Sequence, residues 1–275
     1  MLLRERLLAM HPGASRSAIK RWLEAGRVRV NDRVVRRGDV VVGQADRVQL
    51  TAAPPPPFPS ALLGLVHEDS EILVVDKPHG LLTIATEHER ERTAYRALAE
   101  YVAGQPGRRA RLFIVHRLDR ETSGLLVFAK NAETKRLLQE QFARRAVDRV
   151  YVAAVEGIVR QPHGVLRDRL TGDASGRVRP TRDPRTGREA ITVYRVLARR
   201  RDSTVLELSL GTGRRGQIRA QLADLGHPIV GDRRYGSRRD PLHRVCLHAT
   251  RLAFIHPRGG AVAFESPAPL AFRRV

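Results

Sequence analysis

The sequence predicts an α+β protein in two parts, a small N-terminal module followed by a larger domain, and three observations carry that prediction. Short apolar runs of strand length, such as Leu112 to Val115 and Leu125 to Ala129, are interleaved with a few segments whose apolar residues recur at helical spacing. A proline run, Pro54-Pro55-Pro56-Pro57-Phe58-Pro59, reads as an extended, semi-rigid spacer and marks a boundary. With 275 residues the chain is long enough for one or two domains and an ample core. The expected division is a module over 1–52, a spacer over 53–60 and a domain over 61–275.

In the module, Leu2 to Met10 reads as a short helix that His11-Pro12-Gly13 stops. Ser15 is a good N-cap for a second helix to about Ala25, and Gly26 is a good C-terminal stop. Ala18, Ile19, Trp22 and Leu23 fall on one face and should meet a small core. Arg16 and Lys20, four apart, share the outer face. Arg27 to Val30 alternates, Asn31-Asp32 offers a turn and Arg33 to Val35 returns, which is a hairpin signal. Val40-Val41-Val42 and Val48-Gln49-Leu50 suggest two further short strands.

In the larger domain, Leu62 to His67 and Glu71 to Val75 are strand candidates joined by Glu68-Asp69-Ser70. Lys77-Pro78 with Gly80 makes a tight turn at a strand end. Thr93 caps a helix to about Ala103, with Ala94, Leu98 and Val102 on one face. Gly104 to Arg109 reads as a basic loop leading to the buried strand Leu112 to Val115. Asn131 caps a helix of about Ala132 to Arg145, with Leu137, Leu138 and Phe142 as its apolar face and Arg144 and Arg145 opposing the dipole at its end. Arg149 to Gly157, Ala190 to Leu197 and Val205 to Leu210 read as strands. Thr171 to Arg188 is polar, basic and rich in Gly and Pro, and reads as a long loop or irregular hairpin.

Charge narrows the partner. Lys and Arg outnumber Asp and Glu by 50 to 29, a formal net charge of +21 spread along the chain. Such an excess suits a polyanion, nucleic acid first, with binding that weakens as salt rises. Cys246 is the single cysteine, so an intramolecular disulfide and a cysteine-based zinc site are excluded. His243 and His248 have no carboxylate between them, and no metal is expected there. No apolar run is long enough to span a membrane, and the N-terminus shows no signal-peptide core. A reduced, cytoplasmic, monomeric protein is expected.

One stretch organises the rest: His116-Arg117-Leu118-Asp119-Arg120-Glu121-Thr122-Ser123-Gly124-Leu125-Leu126-Val127-Phe128-Ala129-Lys130. It opens in dense charge and ends in an apolar run, with Ser123-Gly124 as turn chemistry between them. The flanking Arg117 and Arg120 favour the ionised form of Asp119. Ionised, it is a base or nucleophile and not a general acid. The plain alternative is an ion-pair cluster at a strand end.

This stretch resembles the catalytic motif of the RluA-type pseudouridine synthases, and in that family the motif's aspartate, here Asp119, is the essential catalytic residue. The resemblance implies a catalytic domain built on a mixed, largely antiparallel sheet with flanking helices, the pseudouridine synthase fold. Ser15 to Asp32 resembles the alpha-L RNA-binding module first known in a small-subunit ribosomal protein. That implies RNA-phosphate contacts from Arg16, Lys20, Arg21, Arg27 and Arg29, with Asp32 where the family usually has Gly. Asp76-Lys77-Pro78-His79-Gly80-Leu81 is similar to the family's second marker and should shape the cleft floor. Arg149 to Ala153 resembles the segment that carries an active-site tyrosine, here Tyr151, implied to act on the ribose as a base and to stack under the target base.

Gly211 to Ala223, with Leu225-Gly226-His227-Pro228-Ile229-Val230-Gly231-Asp232 and Tyr235-Gly236, resembles the third marker. There Arg219 matches the arginine that pairs with the catalytic aspartate, and two parallel hydrogen bonds to Asp119 are expected. Arg117 maps to the arginine that fills the space vacated by the flipped base. His116, Arg214 and Gln217 are further candidate substrate contacts. Two positions depart from the family: Gly216 and Gln221 stand where histidines are usual. The first histidine is read as structural, since the reaction needs no imidazole. Phe264 to Leu270 resembles the closing Ser-Pro-x-Pro segment. The implied activity is isomerisation of uridines by base flipping, in 23S ribosomal RNA rather than transfer RNA, with no cofactor or metal. A noncatalytic RNA-binding or ribosome-assembly factor would leave Asp119, Tyr151 and Arg219 unexplained. A methyltransferase would want a glycine-rich cofactor loop that is missing.

Overall fold

The computed structural model describes residues 1–51, 58–103, 111–173, 176–183 and 185–275. Most of the proline run and the Gly104 to Arg109 loop lie outside the described residues. The chain divides into two compact units, Met1–Pro56 and Pro57–Val275.

In the first unit, Leu3–Met10 (α1) and Arg16–Glu24 (α2) share a core with a three-stranded antiparallel sheet of Val28–Val30 (β1), Arg33–Val34 (β2) and Val48–Leu50 (β3), ordered β2-β1-β3. Leu3, Leu7, Ile19, Leu23, Val28 and Val48 are buried together. The Ser15 hydroxyl accepts the Ala18 N–H (3.2 Å) and starts α2 as expected of an N-cap. Asn31 and Asp32 both take positive φ, 49° and 65°, the pattern of a type I′ hairpin turn. Asp32 therefore adopts a left-handed conformation that glycine reaches at lower cost. The strand expected at Val40-Val41-Val42 does not form. Val41 makes one bridge to Leu2 but is exposed with Val40, and only Val42 reaches the core, so the run is a loop with one buried anchor.

The second unit has an 11-stranded sheet among the described residues. Its strands are Gly64–Glu68 (β4), Ile72–Lys77 (β5), Phe113–Ile114 (β6), Ser123–Ala129 (β7), Asp148–Glu156 (β8), His163–Gly172 (β9), Val178–Thr181 (β10), Arg188–Arg199 (β11), Ser203–Leu210 (β12), Leu247–Ile255 (β13) and Ala261–Glu265 (β14). The order is β10-β9-β11-β12-β8-β13-β7-β5-β4, with β14 on β13 and β6 on β7. Its helices are Ala94–Ala103 (α3), Ala132–Ala143 (α4) and Gln217–Asp224 (α5).

The apolar runs of β5 and β7 are buried on both faces, which is why they read as continuous rather than alternating. Leu73, Val75, Leu126 and Phe128 join Ala94, Leu98 and Val102 of α3. Ile72, Val74, Leu125 and Val127 join Leu138 of α4 on the opposite face. Thr93 and Asn131 cap these helices through Arg96 N–H (3.1 Å) and Thr134 N–H (2.8 Å). Ser123-Gly124 is not a turn but the start of β7, whose pairing with β5 begins there; the turn lies earlier, where Thr122 N–H meets Asp119 C=O (3.2 Å). Leu112 to Val115 yields only the two-residue β6. The segment read as a long loop or irregular hairpin over Thr171 to Arg188 contains the end of β9 and all of β10, paired antiparallel, as the second of those readings has it.

Among its neighbours β13 pairs parallel only with β7, through His248↔Ser123 and Ala249↔Gly124. Across β13, Ala249 faces Tyr151 of β8. This seam brings the loop before β7 and the middle of β8 to one place, and the site lies there.

Candidate active site

The loop carrying Asp119 is tied down through its backbone. Thr83 Oγ1 donates to Leu118 C=O (2.8 Å) and accepts Leu118 N–H (3.2 Å). Gly80 N–H donates to Arg120 C=O (2.7 Å). Lys77 is fully buried, and its ammonium donates to the carbonyls of Pro78 (2.9 Å), Leu81 (2.8 Å) and Arg120 (3.4 Å). The second marker thus joins two loops through a buried cation beneath the site. Burial pulls the Lys77 pKa down to about 7, against the charges of Asp119 and Glu121, which pull it up.

Arg219 is buried on α5 and is the hub of the charges. Its Nε and Nη2 make two hydrogen bonds, 2.7 and 2.9 Å, to the buried carboxylate of Asp232. Only Nη1 reaches the motif loop, at 2.9 Å from Glu121 and 3.4 Å from Asp119. The expected two-fold pairing with Asp119 is therefore corrected. Asp232 follows α5 closely in the chain and takes the guanidinium's flat edge, leaving one nitrogen for the loop. Burial opposes the Arg219 charge, but Asp232, Glu121 and Asp119 outweigh it and raise its pKa. Tyr235 completes the hub: Arg219 lies over one side of the ring at 5.0 Å and Arg177 also lies over it, at 5.2 Å. Asp232 and Glu121 were missed as site residues, although Asp232 ends an apolar run and Glu121 stands in the central motif.

Gly216 explains itself here. It precedes α5 at φ 59°, and a Cβ would lie 2.8 Å from Tyr235 Oη, which accepts Val178 N–H (3.2 Å). The phenol, with the Val178 side chain behind it, occupies the room that the Cβ of a histidine would need. Gln221, at the second departure, is buried and ties α5 to the sheet through Thr192 (2.6 Å) and Asp168 (2.7 Å).

Asp119 and Tyr151 open on a common cleft of about 240 Å³, lined also by Arg117, Arg214 and Ile218. Arg117 is exposed at its rim, and neither it nor Arg120 pairs with Asp119 among the described residues. The cation that does is Arg219. Burial pushes the Tyr151 phenol up to about 12, with Arg149 opposing and Asp119 adding. A phenol that keeps its proton at neutral pH presents the cleft with a donor and a packing surface.

Two expected substrate contacts are internal instead. His116 accepts Val127 N–H at Nε2 (3.2 Å) and stacks on Phe142 at 4.8 Å; burial, then Arg149, lowers its pKa to about 3. Gln217 is buried, accepting from Thr212 Oγ1 (2.8 Å) and Arg214 N–H (3.0 Å) and donating to Ile191 C=O (3.0 Å) and Thr192 Oγ1 (2.9 Å). Arg214 keeps an exposed guanidinium at the rim, with Nε on Glu189 C=O (3.0 Å). In the first unit Arg16 and Lys20 are exposed beside a concavity that Arg36 and Arg37 also line. Arg27 is half-buried, over Trp22 at 5.6 Å and bonded to Thr51 C=O (3.0 Å). Among the described residues no group of three or more His, Cys, Asp or Glu is placed to hold a metal, and no helix is long and apolar enough to cross a membrane.

Comparison with known proteins gives the family. The family model described as RNA pseudouridylate synthase matches residues 71–224, and the S4 domain model matches residues 5–48. The protein of Bacillus subtilis named uncharacterized RNA pseudouridine synthase YlyB is 34% identical over 93% of this chain and 86% of its own. The ribosomal large subunit pseudouridine synthase D of Neisseria meningitidis serogroup A is also 34% identical, over 96% of this chain and 74% of its own. The solved structure of human RNA pseudouridylate synthase domain containing 4 shares the fold, with TM-score 0.64 and 24% identity over 76% of this chain and 90% of that one. Matched by that family model over residues 71–224 and 34% identical to these relatives over more than nine-tenths of its length, the chain belongs to the RNA pseudouridylate synthase family.

Proposed function

We propose that this synthase isomerises specific uridines of large-subunit ribosomal RNA, with Asp119 as the catalytic carboxylate acting on a nucleotide flipped into the cleft. The observation that carries the reading is Asp119 in a cleft with Tyr151, on a loop fixed by Lys77 and Thr83 and touched by Arg219. The reaction balances within the nucleotide. The bond from C1′ to N1 breaks, C1′ bonds to C5, C5 gives up a proton and N1 gains one. The protein must reach a glycosidic bond hidden in stacked RNA, and flipping exposes it at a cost of a few kcal/mol. Arg117, exposed and uncommitted at the rim, fills the vacated stack. Tyr151 packs under the flipped base and offers its O–H. Arg219 holds Asp119 in position, and Asp232 holds Arg219.

Arg16, Lys20 and Arg214 contact phosphates and set position rather than sequence. The ribosomal substrate is supported by the relatives named ribosomal large subunit pseudouridine synthase D. The test maps pseudouridines in large-subunit ribosomal RNA and in transfer RNA after incubation with wild type and with Asp119→Asn. Wild type is expected to convert a defined ribosomal uridine, and the variant to bind the same RNA without converting it. Equal conversion by both proteins removes Asp119 from the mechanism. Conversion of transfer RNA alone overturns the substrate, and binding without conversion by either protein favours a binding factor.

A further inference from the structure

Arg149 lies on β8 two residues before Tyr151, on the same face of the strand. Its guanidinium is half-buried near the cleft, and its partners are few. Nε is buried with no hydrogen-bond partner among the described residues. Nη2 reaches Leu210 C=O at 3.4 Å, beyond the usual range for such a bond. The guanidinium lies over the Phe142 ring at 5.4 Å. No carboxylate pairs with it among the described residues; its sequence neighbour Asp148 is committed to Arg251 (3.1 Å). The titratable groups facing it are the Tyr151 phenol and the His116 ring, both neutral at physiological pH.

A buried charge without a counter-charge is costly and is normally paired. The route to a pair is visible. A Cβ on Gly213 would lie 2.5 Å from Arg149 Nη1, so the half-buried guanidinium packs directly against a residue with no side chain, and that residue lines the cleft with Tyr151 and Arg214 although Arg149 itself does not. We infer that Arg149 receives a backbone phosphate of the RNA beside the target nucleotide, through the opening at Gly213. The guanidinium's planar donors suit phosphate oxygens. This rests on reading the cleft as the uridine site.

The test measures binding of a ribosomal RNA fragment that wild type converts, in the Asp119→Asn background so that turnover does not intervene, over a series of salt concentrations. Adding Arg149→Met is expected to weaken Kd about tenfold and to flatten the slope of log K against log salt by ~0.7, the value for one phosphate on a single strand. Tm should stay level or rise, because an unpaired buried charge is replaced by a similar apolar volume. Arg149→Lys keeps the charge and should hold the slope. An unchanged slope in the Met variant overturns the inference. A fall in Tm with the slope unchanged makes Arg149 a packing residue and overturns it as well. A Lys variant that folds but flattens the slope as fully as Met also overturns it. Conversion by wild type is followed in parallel. If it is absent, the uridine-site reading falls and takes this inference with it; if it is present, an unchanged slope overturns this inference alone.

Discussion

Arg219 lines the cleft and is buried, Arg149 is half-buried behind Gly213 at the same cleft, and their surroundings are opposite. Arg219 has three carboxylates: Asp232 on its flat edge, and Glu121 and Asp119 on the remaining nitrogen. Arg149 has one long bond to a carbonyl, an aromatic face and no carboxylate among the described residues. The contrast teaches that burial alone does not assign a role to a charge. A guanidinium whose donors are spent inside the protein is a fixed part of the frame and positions others. One whose donors are unspent keeps capacity for an anion that arrives with the substrate.

The largest effect is expected from Asp232→Asn, which turns the surroundings of Arg219 toward those of Arg149. It removes the buried carboxylate from the flat edge of a guanidinium that stays buried, leaving only Glu121 and Asp119 on one nitrogen, and breaking such a buried pair costs about 3–5 kcal/mol. Urea unfolding of the variant should show that loss, and conversion should fall with it because Arg219 no longer has a fixed edge. Arg219→Met in the same chain sharpens the comparison. With both charges gone, part of the stability should return while conversion stays low. If Asp232→Asn melts like wild type, Arg219 is not held as described and the contrast between the two arginines collapses.

Lys77 tests the Arg219 side of the contrast by pH. Its folded pKa of about 7 lies below the unfolded value of about 10.4. From about pH 7 to 10 the unfolded chain therefore binds more protons at this residue, so its contribution to stability increases as pH rises, by up to about 1.4 kcal/mol per unit. Below pH 7 both states are protonated and the contribution is flat. Lys77→Met should lose this rise. Other groups also titrate in that range, burial pushing Cys246 up to about 11 among them, so the quantity to compare is the difference in slope between the two proteins. Equal slopes would mean that Lys77 is not a strained cation and that the loop is held by its backbone alone.

Much of this frame was legible in the sequence, and the reasons are specific. Leu125 to Ala129 and Ile72 to Val75 announce two-faced burial by unbroken apolar character. Ser15, Thr93 and Asn131 cap helices because their side-chain oxygens reach an N–H three residues on, a purely local event. β9 was hidden for the opposite reason, and β10 fell in a stretch read as a long loop or irregular hairpin. His163 to Gly172 and Val178 to Thr181 carry arginines and few apolar residues, and they become strands through pairing with β11 and with each other. The site divided the same way. Asp119 and Arg219 stood out by motif, but the partner of Arg219's flat edge depends on how the chain returns after α5. Charge spacing around Asp119 suggested Arg117 and Arg120 as its cations, whereas the fold turns both outward and supplies Arg219 from 100 residues away. His116 and Gln217 look like polar site residues, yet their polar atoms are spent on the backbone and side chains that shape the cleft.

Gly216 gives the smallest of these effects, with a sign that is easy to mistake. A reader of the sequence alone restores the family's usual histidine and expects conversion to hold or improve. The geometry forecasts the reverse. The left-handed φ of 59° costs a non-glycine residue about 1–2 kcal/mol. The new Cβ also meets Tyr235 Oη at 2.8 Å, and that phenol is buried, accepts Val178 N–H and lies against Arg219. Gly216→His should therefore lower Tm, and by shifting Tyr235 it should lower conversion through Arg219. Gly216→Ala separates the two causes. It carries the backbone strain and the first contact but no ring, so it should fall between wild type and the histidine variant in both Tm and conversion. A histidine variant as stable and as active as wild type would show that Tyr235 is free to move, and that the Arg219 hub is less rigid than its three carboxylates imply.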